Sequence, residues 1–202
     1  MKHRYTYRMK WVVCLLAIAS AGMKAQEQIP YKNPNLPVEE RVQDLLRRMT
    51  LEEKVDQLNM KSLNALQMDQ KGQVTDSSLV KLFQGRSIGC LESPFVEHSK
   101  VAQYSEAADQ YLRTQTRLGI PAIQIAECLH GQMALGTTIF PQAIGLGSTW
   151  NPELIKQMAS VIAAEASLSG VDQALSPLFD LARDPRYGRV EECYGEDPCL
   201  VK

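Results

Sequence analysis

The stretch RDPRYGRVEECYGEDP, residues 183–198, decides how the rest of the chain is read. Half of its sixteen residues are charged: Arg183, Asp184, Arg186, Arg189, Glu191, Glu192, Glu196 and Asp197. Two prolines and two glycines punctuate it. The run just before it, Ala174-Leu175-Ser176-Pro177-Leu178-Phe179, is apolar and reads as a buried strand. A strand that ends in a dense, mixed-charge loop is a common way to build a site. Forked guanidinium donors suit hydroxyls and carboxylates. Most of these charges, Asp184, Arg186, Glu192 and Asp197 among them, read as internal pairs, since pairing lets several be buried together. One or two arginines are left to face a ligand.

Upstream, strands and helices alternate, which implies a parallel sheet. Asn151 reads as a helix cap, Pro152 suits the first turn, Glu153 favours the positive end and Gly170 can end the helix. Ile155, Met158, Ala159, Ile162, Ala163 and Ala166 form its inward stripe. Residues 120–126 read as a strand from their β-branched content, ending at Glu127. Residues 99–117 read as a helix with Val101, Tyr104, Ala108, Tyr111 and Leu112 inward. Residues 87–91 are a candidate strand, and 61–84 a loop with a short helix near 78–83. Thr50-Leu51-Glu52-Glu53 is a capping box opening a helix with Leu51, Val55 and Leu58 on one face. Val38, Val42, Leu45, Leu46 and Met49 predict an amphipathic helix before it. No internal repeat or low-complexity tract interrupts this order.

The chain starts with Lys2, His3, Arg4, Arg8 and Lys10, then the apolar run WVVCLLAIASA at 11–21 and small residues up to Ala25. Residues 1–25 read as a secretory signal peptide. The run is too short for a spanning helix, which takes about 20 apolar residues, so no stable membrane span is expected after cleavage. The mature protein is expected in a periplasm or outside the cell. Residues 26–37, with prolines at 30, 34 and 37, read as an extended lead-in, and 38–202 as the folded domain. Cleavage leaves Cys90, Cys128, Cys193 and Cys199. Export permits disulfides, but the spacing fixes no pairing, and the cysteines read as buried small hydrophobes. With 22 basic and 23 acidic side chains, no nucleic-acid surface is expected. Hydrophobic content of 45% is ordinary for a globular core.

Four segments, in this order, resemble glycoside hydrolase family 3, the β-glucosidase and β-xylosidase family: TLEEKVDQL at 50–58, ECLHG at 127–131, FPQAIGLGSTWNPELI at 140–155, and DPRYGR with Glu192 and GEDP at 184–198. Tyr187 stands where the family pattern usually has Trp. The resemblance implies a (β/α)₈ TIM-barrel-like N-terminal domain, an α/β fold, incomplete in this chain because such a barrel takes about 250 residues. It implies an exo-acting retaining β-glycosidase acting on β-linked oligosaccharides or glycosides, without metal or organic cofactor.

Barrel sites lie at the strand C-terminal ends, and two such ends carry polar groups here: Glu127, and the loop holding Arg189. By resemblance these are the substrate-binding carboxylate and arginine of the nonreducing-end sugar subsite. Many glucosidases of the family have Asp at the Glu127 position, whereas Glu is similar to xylosidase-like members. The extra methylene would fill space that the hydroxymethyl of glucose needs. The alternative for Glu127 is a residue satisfying a neighbouring arginine. His130 reads as shaping its loop and Asp180 as bonding backbone amides. Trp150 reads as a core residue at a helix start, with stacking on a sugar the alternative. The family's nucleophile, an Asp in a Ser-Asp-Trp-like context, its Lys-His pair and its acid/base Glu have no match in residues 1–202. No catalytic residue is therefore assigned, and the chain alone is expected to be inactive. A non-catalytic carbohydrate-binding barrel is the competing class. N-acetylhexosaminidase activity, found in a branch of the family, is disfavoured by ECLHG and GEDP.

Overall fold

The computed structural model describes residues 29–202. The signal peptide expected at 1–25 and the start of the expected lead-in lie outside them. The chain divides into two compact units between Met49 and Thr50.

In the first unit a 3₁₀ turn at Pro30–Lys32 precedes α1 (Val38–Arg48). Polar groups hold them together: the Tyr31 amide donates to Asp44 Oδ2 (3.2 Å) and Arg41 Nε to the Tyr31 carbonyl (3.1 Å). Arg48 pairs with Asp44 at 2.8 Å and holds its carboxyl below the usual carboxylate range. No residue of α1 is buried, so its apolar stripe forms without being covered within this unit.

The second unit opens on the expected capping box. Thr50 Oγ1 accepts from the Glu53 amide (3.2 Å), and Glu53 Oε2 from the Thr50 amide (2.9 Å). These satisfy two amides that a helix start otherwise leaves orphaned. Leu51 and Val55 of α2 (Leu51–Asp56), and Leu58 just past its end, are exposed. Its anchor is polar instead. Buried Asp56 takes a bidentate grip from Arg86, with Nε and Nη2 at 2.7 and 2.6 Å.

Four strands follow: β1 (Met60–Ser62), β2 (Cys90–Glu92), β3 (Ile123–Glu127) and β4 (Gln173–Leu175). They form one parallel sheet in sequence order. Between them run α3 (Asp76–Phe83), α4 (His98–Gln115), α5 (Ala143–Gly147) and α6 (Pro152–Leu168). α7 (Pro198–Val201) comes last. Short crossovers of this kind put successive strands side by side and the helices over one sheet face. Asn151 caps α6 as expected, accepting from the Leu154 amide at 3.1 Å. Nothing in the sequence marks β1, because three residues, Met-Lys-Ser, carry no period to read.

The helix-side face holds the core. Leu91 of β2 joins Leu79 and Phe83 of α3 and Tyr104, Ala108 and Leu112 of α4. Ala126 of β3 joins Leu146 of α5 and Met158, Ile162 and Ala166 of α6. Ala159 and Ala163 lie outside this stripe, exposed. A fully buried leucine such as Leu91 or Leu112 contributes about 2 kcal/mol. Exposed helix pairs of the Arg113–Asp109 type contribute at most about 1 kcal/mol. Packing on this face therefore dominates.

Register fixes the other face. Met60, Cys90 and Ile123 are partners, as are Ser62, Glu92, Ile125 and Gln173, and Glu127 pairs with Leu175. Side chains alternate along a strand, so these residues share the face away from the helices. In a closed barrel that face is the interior. Here β4 is the sheet edge, paired with β3 alone among the described residues. The buried strand expected at 174–178 is corrected: β4 is exposed at all three positions, and Phe179 is 68% exposed. An apolar run predicts burial only where another strand or layer covers it. The architecture is a barrel-type α/β wall, incomplete as expected.

Candidate functional site

β3 carries Glu127 at its C-terminal end, half-buried and on the interior face. Its side chain makes no hydrogen bond or ion pair among the described residues. The following loop is held shut near its base. His130 Nδ1 donates to the Phe140 carbonyl (2.9 Å), and the Phe140 amide donates back to the His130 carbonyl (2.7 Å). The carbonyl can only accept, so the proton sits on Nδ1. His130 therefore shapes its loop, as read from the sequence. Thr138 fastens the far side through its amide and hydroxyl to Glu165 of α6, at 3.0 and 2.8 Å.

Gly131 is required at this bend. Its φ is +137°, and a Cβ would lie 2.3 Å from the Thr138 carbonyl oxygen. Gly131→Ala is expected to cost about 2–4 kcal/mol in strain and overlap. Urea unfolding of the variant checks this, and an unchanged midpoint would contradict it.

The charged loop returns to the same end of the sheet. Leu178 bridges to Cys193, and the Ala182 amide donates to the Gly195 carbonyl (3.0 Å). Gly147 of α5 meets the Tyr194 carbonyl so closely that a Cβ there would sit 1.9 Å from its oxygen. Inside the loop the charges pair locally. Arg186 grips Asp184 through its amide, Nε and Nη2 (2.9, 3.0 and 2.6 Å). Arg189 donates through Nε to both Glu192 oxygens (2.9 and 3.0 Å) and through Nη2 to Oε2. Asp197 caps α7 by accepting from the Cys199 amide (2.7 Å). The internal pairing read for Asp184, Arg186 and Glu192 is present. Asp197 serves a helix end instead.

The Arg189–Glu192 pair also sets the electrostatics. Its hydrogen bonds hold the Arg189 guanidinium above, and the Glu192 carboxyl below, their ordinary ranges. The Glu127 carboxylate further favours the charged Arg189, and His130 the charged Glu192. Glu127, His130, Arg189 and Glu192 thus lie within electrostatic reach at one end of the sheet. Burial, then the Glu127 charge, pushes the Cys128 thiol up to about 11.

Three sequence expectations are corrected. Asp180 accepts from the Tyr187 hydroxyl (3.3 Å) rather than from a backbone amide, because the loop brings Tyr187, seven residues on, back to it. Trp150 is not a core residue: it is 74% exposed, with φ +52°, in the turn between α5 and α6. The turn's left-handed backbone carries the ring outside the α5–α6 packing. The four cysteines among the described residues are all free. Cys128 and Cys193 are buried, Cys90 is intermediate, and Cys199 is exposed because the short α7 is uncovered. A concavity of about 840 Å³ between α3 and α4 lies on the helix side and includes neither Glu127 nor Arg189.

A parallel wall with helices on one face and a carboxylate–guanidinium rim at its strand ends defines part of an α/β barrel of the (β/α)₈ type. The model of the glycosyl hydrolase family 3 N terminal domain matches residues 50–202, and the chain belongs to that family. It is similar to a β-xylosidase of Formosa agariphila, 44% identical over 122 residues, covering 57% of this chain and 16% of the relative. It is 30% identical to a periplasmic β-glucosidase of Salmonella typhimurium, over 96% of this chain and 24% of that protein. A solved β-glucosidase from Erythrobacter marinus superposes with a TM-score of 0.69 at 32% identity, covering 87% of this chain and 23% of that one. The chain thus spans about a quarter or less of the length of these relatives. No helix among the described residues is long and apolar enough to cross a membrane.

Proposed function

We propose that this chain is the sugar-holding N-terminal part of an exported, exo-acting, retaining β-glycosidase of the xylosidase/glucosidase type. In this reading Glu127 and Arg189 bind hydroxyls of the nonreducing-end sugar. One observation carries it: a carboxylate with no partner among the described residues stands at a strand C-terminal end, within electrostatic reach of a guanidinium. A carboxylate only accepts and a guanidinium only donates, while a sugar hydroxyl does both. The two can therefore fix adjacent hydroxyls of one ring in a single pose. Binding energy from hydroxyls remote from the scissile bond then orients the anomeric carbon.

Retaining cleavage needs two carboxyls about 5–5.5 Å apart, a nucleophile and an acid/base. We assign neither to residues 1–202, so this chain holds sugar and does not cleave. The intervening methylene of Glu127 favours a pentose over a hexose. The periplasmic relative and the basic, then apolar, start of the sequence support export.

The test uses the intact protein and aryl β-xyloside and aryl β-glucoside. Hydrolysis with retained anomeric configuration is expected, faster for the xyloside, and none from residues 1–202 alone. Saturable sugar binding without turnover by the intact protein would favour a carbohydrate-binding barrel instead.

A further inference from the structure

We infer that Glu92 is a specificity-determining carboxylate, whose charge beside Glu127 admits neutral sugars and rejects sugars that carry a carboxylate on the ring. This deepens the sugar-holding reading and rests on it. Glu92 is the last residue of β2, and its register partners are Ser62 and Ile125. It therefore shares the interior face with Glu127 and ends its strand at the same rim. Strands about 4.8 Å apart and a rise of about 3.3 Å per residue put the two Cα atoms about 8 Å apart, one residue pair offset along the sheet. Side chains of that length span a pyranose from two of its edges.

Glu92 is half-buried and makes no hydrogen bond or ion pair among the described residues. That separates it from the acidic residues of the charged loop. Glu192 is held by Arg189, Asp184 by Arg186 and Asp180 by the Tyr187 hydroxyl. Lys61, on the neighbouring strand, is turned to the helix side, where it donates to the Leu82 carbonyl. The loop that carries Arg189 follows β4, whose Leu175 is the register partner of Glu127. Glu192 balances Arg189 and Asp184 balances Arg186, while Arg183 donates to the Glu196 carbonyl at 3.1 Å. The Glu92–Glu127 side of the rim is consequently anionic. Hydroxyls can donate to both carboxylates. A ring carboxylate cannot, and like charges in a partly desolvated site repel by an amount worth about tenfold or more in affinity.

The experiment compares wild type, Glu92→Gln and Glu92→Asp in the intact protein, on aryl β-xyloside, β-glucoside and β-glucuronide. Glu92→Gln keeps shape and removes charge. It is expected to raise the glucuronide-to-xyloside ratio of kcat/KM at least about tenfold, with the unfolding midpoint unmoved. Glu92→Asp keeps the charge and is expected to keep the ratio near wild type. An active Glu92→Gln enzyme with an unchanged ratio overturns the inference. So does a fall in unfolding midpoint with no change in ratio, which would mark Glu92 as the partner of a structural cation. If wild type cleaves none of the three glycosides, the glycosidase reading fails and takes this inference with it.

Discussion

Arg189→Ala in the intact protein is expected to lower kcat/KM on aryl β-xyloside by about 10²- to 10³-fold while leaving the fold intact. The size follows from the bonds at stake. Arg189 spends Nε and one edge of Nη2 on Glu192, leaving the remaining guanidinium donors for a ligand. Losing two charge-assisted hydrogen bonds to a substrate accounts for a loss of about that many decades. Lysine should not rescue it, because a point charge cannot face Glu192 and a sugar hydroxyl with one planar fork.

The same substitution has a pH signature. The Glu192 carboxyl is held low chiefly by its hydrogen bond from Arg189. A carboxyl with a depressed folded pKa contributes stability above its unfolded pKa, and loses it as pH falls through the folded value. The stability difference between wild type and Arg189→Ala should therefore be fully present at neutral pH and shrink in acid. Thermal unfolding from pH 7 downward checks the sign. Wild-type kinetics in the variant would reject Arg189 as a sugar contact, and a gap that widens in acid would reject the Glu192 linkage.

Glu127→Asp should shift the glucoside-to-xyloside ratio of kcat/KM upward by about 10-fold or more, since one methylene in a binding site is worth roughly 10–200-fold in discrimination. The shortened carboxylate retreats toward β3 and opens room for a hydroxymethyl group. Glu127→Gln serves as control: it keeps the length, removes the charge and should weaken both substrates without changing their ratio. A ratio unaltered in Glu127→Asp would show that this carboxylate does not sense the sugar's C5 substituent.

Much of this wall was legible in the sequence where chemistry is local. The Thr50–Glu53 capping box and the Asn151 cap act within one helical turn, and both form as read. The helices of 98–115 and 152–168 show because an apolar period of 3.6 persists over several turns. β1 does not show, because its three residues are placed by the neighbouring β2 and not by a pattern of their own. The exposure of β4 is not legible in the sequence, because it depends on what lies beyond the strand, which no local pattern encodes. At the rim, motif order points to Glu127 and Arg189; register puts Glu127 at the C-terminal end of β3, and its charge favours the charged form of Arg189. The pairing of Arg189 with Glu192, the turn of Tyr187 onto Asp180 and the exposure of Trp150 depend on the loop's path. Glu92 is hidden in the sequence for a related reason. Only strand register reveals which face it shares, although a charged residue closing a short apolar strand was a usable hint.

The most direct measurement is a crystal structure of the intact protein with xylose bound. The account predicts one ring at the rim, with a Glu127 carboxylate oxygen and an Arg189 guanidinium nitrogen each within about 3.2 Å of its hydroxyls. A sugar touching only one of the two side chains, or seated away from both, would contradict it.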